Sequence, residues 1–351
     1  MYRSVVLFSL LALMSCGEKS AEKNEKSGPI TGITVEPIYN DTVSIRTLDI
    51  LNDGSVAFAG NDGKYGLYNT KTQVWSTNIL KADTLAPSFR AIAHTASDFF
   101  MLSIANPALL YKTGDDGQMQ VVYEEVGPKV FYDSMKFWDD KEGIAMGDPT
   151  ESCLSILITR DGGASWEKVS CENLPETAEG EAAFAASNTN IAVQGDDAWI
   201  ITGGMKSRVF HTGDRGENWE VFETPLKQGE PTFGGYSIDF YDEQIGFIIG
   251  GDYLNPEGNT GNKALSTDGG KTWTLVADGK EPNHRSCVKF VPGRDGNELI
   301  ATGANGISYS KDQGKNWTKL TDEGFYVMQF VNDTLAYAAG ANRVAKLKFS
   351  R

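Results

Sequence analysis

One octapeptide, repeated four times along the chain, constrains the fold more than any other feature of this sequence. It stands at 159–166 (TRDGGASW), 212–219 (TGDRGENW), 266–273 (STDGGKTW) and 310–317 (SKDQGKNW), in the pattern Ser/Thr-x-Asp-x-Gly-x-x-Trp. A weaker copy at 113–120 keeps the Asp and Gly but loses the Trp, and 68–75 keeps little beyond Trp75. The intact copies recur every 44 to 54 residues, a period that belongs to propellers and solenoids. The side chains explain the recurrence. Asp161, Asp214, Asp268 and Asp312 can hydrogen-bond backbone groups within a tight turn. The glycine supplies positive φ, and Trp166, Trp219, Trp273 and Trp317 each offer a large ring to bury against neighbouring strands. The octapeptide is a structural staple for a hairpin.

Strands are read outward from these turns. Upstream of them lie short apolar runs ending in glycine, at Gly60, Gly147, Gly203, Gly250, Gly303 and Gly340. Each is preceded by another alternating run, such as Ile238-Asp239-Phe240. That makes four strands per unit. Units beginning near Arg46, Arg90, Asp133, Thr189, Tyr236, Arg285 and Tyr326 predict an all-β, seven-bladed β-propeller over 30–351. The last unit has no room for an outer strand after Phe349, and 32–39 (GITVEPIY) is a strand without a unit of its own. The N-terminal strand is therefore expected to close the ring.

The octapeptides match the Asp-box, or BNR, repeat of sialidases and other propellers. Together with 181–196 (EAAFAASNTNIAVQGD) and the AWIITGG that follows at 198, they resemble a bacterial BNR-type propeller family related to the photosystem II stability and assembly factors. The resemblance covers nearly all of the chain beyond the N-terminal segment. Members of that family are often described as oxidoreductases or glycosyl hydrolases. The residues give an oxidoreductase no support, since no G-x-G-x-x-G opens a helix and no βαβ pattern appears. No cofactor is expected.

At the N-terminus, Arg3, an apolar run from Val5 to Leu13 and then Leu13-Met14-Ser15-Cys16 read as a signal peptide over 1–16. The ending resembles the lipobox of bacterial lipoproteins, which makes Cys16 the expected lipidation site. Residues 17–29 lack apolar bulk and suit a flexible tether. The expected location is the cell envelope, with the membrane as a partner through the lipid.

A net charge of −15 argues against nucleic acid, which needs a basic patch. Against that acidic background the channel positions stand out. Arg46, Asp133, Tyr236 and Tyr326 lie fourteen residues before a strand-ending glycine, Arg90 holds that place in the second unit, and Arg285 lies close to it in the sixth, where a GRDG insertion at 293–296 lengthens the following turn. With Asp148 and Asp252 at the ends of second strands, they predict a funnel on the face opposite the Asp-boxes. Arginines so placed suit a carboxylate, so the expected ligand is an anionic small molecule, a glycan or a protein segment. The first reading is a monomeric binding module acting as an assembly or scaffold factor. The alternative is a sialidase-like glycoside hydrolase acting on an acidic sugar, with Asp133, Glu181, Tyr236 and Tyr326 as the catalytic candidates, Asp133 and Glu181 forming the necessary carboxyl pair. Against it, sialidases have six blades, and Phe89-Arg90-Ala91-Ile92 only loosely matches their Phe-Arg-Ile-Pro motif. No metal site is expected: His94, His211 and His284 are scattered, and the oxygen donors of 252–262 do not follow an EF-hand spacing.

Three cysteines remain. Antiparallel pairing across the first box turn brings Cys153 and Cys171 opposite each other within one residue, a separation that a disulfide spans. A Cys153–Cys171 bridge is expected, with Cys287 a buried free thiol.

Overall fold

The computed structural model describes residue 1, residues 28–82 and residues 85–351. Cys16, with the rest of the segment expected to be a signal peptide beyond residue 1 and most of the expected tether, lies outside them. The described chain is all-β apart from one short 3-10 turn, Cys171–Asn173, and its strands pair antiparallel throughout. No helix among the described residues is long and apolar enough to cross a membrane.

The strands form a propeller, but in six hydrogen-bonded sheets and not the seven separate ones expected. Strand Gly32–Ile50 is the reason. Its 19 residues serve two sheets at once. The first half pairs with the C-terminal strand Leu335–Ser350, from Gly32 opposite Ser350 to Asn40 opposite Arg343. The second half pairs with Val56–Gly60, from Ile45 opposite Gly60 to Ile50 opposite Val56. The last and first units are therefore one continuous six-stranded sheet, Val327–Asn332 at one edge and Val74–Ile79 at the other. The N- and C-terminal strands hold the ring shut through this shared ladder. A second sheet also reaches six strands, because the two-residue strands Glu181–Ala182 and Gly203–Gly204 join the edge of Phe233–Phe240.

The Asp-boxes lie at the outer hairpins and work as their chemistry implies. In each, the Asp takes a main-chain N–H four residues on and the side chain of that same residue: Ser165 for Asp161, Asn218 for Asp214, Thr272 for Asp268 and Asn316 for Asp312. The leading Ser or Thr accepts the N–H of the second glycine, as Thr159 does from Gly163. That glycine touches the preceding blade. A Cβ on Gly163 would come within 2.3 Å of the Phe100 ring, and one on Gly314 within 2.3 Å of Phe247. The boxes thus clamp blade to blade as well as turning the chain, which is why their glycines cannot be larger.

Cys153 and Cys171 form a disulfide with Cα atoms 5.5 Å apart. The ladder beside it pairs Ile158 with Glu167 and Leu157 with Lys168, and this register carries the chain to the bridge one residue out of direct opposition. The fourth strand is only Glu167–Lys168, so Cys171 opens the 3-10 turn instead of ending a strand. Cys287 is buried and unpaired.

Candidate functional site

The strand-ending glycines also shape the channel. In four of the sheets the inner strand carries a one-residue bulge opposite that position, and the extra residue is in each case one singled out by the sequence: Arg46, Arg90, Asp133 and Tyr236. A bulge re-aims the side chain it inserts. The carbonyl two residues earlier is brought over the facing glycine, so that a Cβ there would lie 2.8 Å from Ser44 O at Gly60, 2.2 Å from Phe131 O at Gly147 and 1.9 Å from Gly234 O at Gly250. Glycine is required because the bulge occupies the space of a side chain.

Arg46, Arg90, Tyr236, Tyr326 and Asp148 line one cavity of about 600 Å³. Asp133 lies just beneath it, wholly buried, with no hydrogen-bond donor for either carboxyl oxygen. Arg285 is not there. With the insertion at 293–296 the channel position stands seventeen residues before Gly303 instead of fourteen, which puts it one residue past Arg285. Ser286, whose N–H bonds Thr302 O just as that of Tyr326 bonds Ala339 O, holds the channel position and lines the cavity. Arg285 turns outward, buried on Asn283, Ser308 and the carbonyl of His284. Asp252 opens onto a separate cavity of about 150 Å³ with Lys227, Asn255 and Asn259. Among the described residues no group of His, Cys, Asp and Glu is arranged to hold a metal.

Glu181 also departs from its expected place. Its buried carboxylate is held by Arg208 at 2.5 Å and by the Thr202 hydroxyl at 2.6 Å, and it does not reach the cavity wall. The carboxyl that accompanies Asp133 is Asp148.

Sequence reasoning missed the segment that crosses the cavity. After Glu181–Ala182 the chain leaves regular structure, and Ala183, Phe184, Ala185 and Ala186 enter the cavity. Ala183 N–H donates to Asp148 (2.8 Å), Arg90 donates to Ala185 O (2.9 Å) and Arg46 to Ala186 O (3.4 Å). The Phe184 ring stacks on Tyr236, centroids 3.9 Å apart and nearly parallel at 3°. Gly203 leaves room for it, since a Cβ there would meet the Phe184 ring at 2.4 Å. Residues 181–196 stood out in the sequence only for their family resemblance, which gave no sign that 183–186 cross the cavity. Thr189 itself is buried against Ser237, so the strap takes its place in the cavity.

The electrostatics favour an anion. Arg46 and Arg90 form no ion pair among the described residues; each donates to one strap carbonyl, and Arg46 Nε is buried without a partner. Burial, then the charge of Arg46, lowers Arg90 to about 10, still fully cationic at neutral pH. Burial pushes Asp148 up to about 6, against the Ala183 N–H that favours its charged form. Asp133 is raised well above the carboxyl range by burial first and by the nearby Asp148 second, Arg90 opposing. His284, on the wall with its ring edge on Tyr236, is lowered to about 4 by burial and by Arg285 and is neutral. Three residues below the bulge positions, Asp49, Lys136, Asp239 and Lys289 alternate in sign; His94 pairs with Asp49 at 2.9 Å and Lys289 with Asp239 at 2.7 Å. The channel floor is charge-balanced, and the upper cavity is cationic.

The raised carboxyls carry a pH signature. A group whose folded pKa lies above its unfolded value leaves stability intact below the unfolded pKa and removes it as pH rises through the folded one. For Asp148 that window runs from the ordinary value of 3.8 to about 6. Asp148→Asn keeps an acceptor for Ala183 N–H and cannot ionise. It should stabilise the protein at pH 7.5 by about 1–3 kcal/mol and by much less at pH 4. Thermal melts at the two pH values check this; equal effects at both would contradict it.

Comparison with known proteins agrees with this architecture. Residues 118–233 match the family model described as photosynthesis system II assembly factor YCF48, and residues 264–275 match the BNR/Asp-box repeat. Among solved structures, YCF48 bound to a D1 peptide superposes with a TM-score of 0.64 at 14% identity, covering 91% of this chain and 97% of that one. YCF48 from Cyanidioschyzon merolae gives 0.62 at 14% identity, covering 91% and 98%. A catalytically inactive variant of virginiamycin B lyase from Staphylococcus aureus, with quinupristin, gives 0.66 at 12% identity, covering 90% and 99%. At such identities the superpositions speak for the fold alone. No curated protein sequence matches the chain. Four Asp-boxes on the propeller ring and a YCF48-type model matching its middle blades support reading the chain as a β-propeller of the BNR type.

Proposed function

We propose that this protein is a binding module: an envelope-tethered propeller that holds an acidic segment of a partner protein in the Arg46/Arg90 cavity and serves as an assembly or scaffold factor. The observation that supports it is the pair of half-buried arginines with no carboxylate partner among the described residues. A buried cation without a counter-charge is costly, and a ligand carboxylate meeting both guanidinium groups relieves that cost with charge-assisted hydrogen bonds. The YCF48 propeller, which resembles this one in fold, is known with a D1 peptide bound. That lends weight to a protein segment over a free small molecule.

The test is a thermal-shift panel of acidic peptides, their amide isosteres and acidic sugars, sialosides included. A ligand at 100 times its Kd raises stability by about 2.7 kcal/mol. Acidic peptides are expected to raise the melting temperature and their isosteres not to. A response confined to sialosides, with their hydrolysis, would replace this reading with the glycosidase.

The tether is part of the proposal. Cys16→Ala should release the protein from membranes and abolish labelling by a tagged fatty acid. Labelling that persists in the variant would overturn the lipid anchor without touching the cavity.

A further inference from the structure

The strap across the cavity is held firmly at both ends and loosely between. Upstream, Glu181 and Ala182 pair with Gly204 and Gly203. Downstream, Asn188 accepts from Met135 N–H and donates to Ile92 O, and Ser187 donates to Ser286 O. Residues 183–186 have no sheet partner. Apart from one tight turn, in which Ala186 N–H bonds Phe184 O, and the Asn190 amide on Phe184 O at 3.4 Å, what holds them is the cavity itself: Asp148, Arg90, Arg46 and the face of Tyr236.

These contacts follow an order. A flat ring lies on Tyr236, and the carbonyls of the next two residues accept from Arg90 and then Arg46. A neutral carbonyl leaves a guanidinium without a counter-charge, whereas a carboxylate supplies one and can accept two parallel hydrogen bonds. Gly203, which leaves the space for the ring, and the Tyr236 bulge, which supplies its stacking surface, belong to the propeller wall and would serve any ring.

We infer that residues 183–186 are an internal stand-in for the ligand, and that the segment this cavity takes presents an aromatic side chain followed directly by a carboxylate, displacing Phe184 from Tyr236 and the two alanine carbonyls from the arginines. The inference rests on reading the cavity as an anion site and adds the aromatic requirement and the competition with the strap. Tyr253 on the cavity wall, 52% accessible and edge-on to the Phe184 ring, extends the apolar surface beyond the ring slot, as a chain passing outward needs.

The experiment titrates acetyl-Ala-Phe-Glu-Ala-amide, its Phe→Ala counterpart and its Glu→Gln counterpart into the full chain and into Phe184→Ala. With the competing ring gone, Phe184→Ala should bind the Phe-Glu peptide at least 10-fold more tightly than the natural protein. The Phe→Ala peptide should show no such gain, and the Glu→Gln peptide should bind neither protein measurably. If Phe184→Ala does not fold, Phe184→Leu keeps the volume without the stacking plane and should still gain about threefold. Equal affinity of the Phe-Glu peptide for natural and variant proteins overturns the stand-in. So does carboxylate binding that depends on the arginines but is indifferent to the peptide's ring, and in that case the anion site survives. Failure of every carboxylate peptide with both proteins overturns the anion site as well.

Discussion

Arg46→Ala combined with Arg90→Ala will weaken binding of an acidic segment by at least 100-fold and leave the propeller folded. Each guanidinium can give a carboxylate charge-assisted bonds worth about 1.5–3 kcal/mol, so losing both removes several kcal/mol, and each 1.4 kcal/mol is a factor of ten. Stability responds differently. The arginines sit at bulges, outside the ladder pairs. Their acceptors are strap carbonyls, and the main packing contact of either is Arg46 over the Tyr326 ring at 4.1 Å, worth about 0.5–2 kcal/mol. Against that loss stands the relief of two half-buried charges with no ion-pair partner among the described residues. Titration calorimetry together with a thermal melt separates the effects. Unchanged affinity removes the arginines from the site, and a collapsed melt would show them to be structural.

Gly250→Ala should be among the most damaging conservative changes in the molecule. Its Cβ would lie 1.9 Å from Gly234 O, a main-chain atom that can yield only if the Tyr236 bulge shifts. Overpacking of this kind costs about 1–3 kcal/mol and more where backbone must move, which for a domain of this size lowers the melting temperature by about 2–5 °C or more. Because Tyr236 rides on that bulge, affinity for the cavity ligand should fall too, well below the melting range. Gly340→Ala is the matched control. It holds the same place in the repeat, but its Cβ would meet nothing closer than 3.3 Å, and the cost should stay below about 1 kcal/mol. Similar losses at both positions would mean that the bulge does not set the glycine requirement.

How far the sequence foretold these features depends on whether the signal was local. The Asp-box is a self-contained turn, so four copies announced both the fold and the outer hairpins. The fourteen-residue spacing to a glycine worked at Arg46, Asp133 and Tyr236 because that glycine and the bulge facing it are one steric unit, and at Tyr326, where no bulge faces Gly340, through the repeat length alone. Arg285 was placed one residue off because the insertion at 293–296 breaks that count, and its glycines mark a longer turn without giving the size of the shift. The number of sheets was misjudged for a different reason: hydrogen-bond continuity through a 19-residue strand is a property of pairing, and nothing in 32–50 marks where one partner gives way to the next. Glu181 looked like a catalytic acid only while its partner Arg208 was unknown. The strap was invisible because Ala183, Ala185 and Ala186 act through their main chain, which every residue shares, and Phe184 read as one more apolar position.

The central claim is that the cationic cavity recognises carboxylates carried on a peptide. Titration of the purified protein with an Asp/Glu-rich octapeptide and with its Asn/Gln counterpart, at low and at high salt, tests it most directly. The account predicts saturable binding of the acidic peptide alone, lost in the Arg46→Ala, Arg90→Ala protein and weaker at high salt as exposed charges are screened. Equal binding of the two peptides, or acidic-peptide binding that survives loss of both arginines, would contradict it.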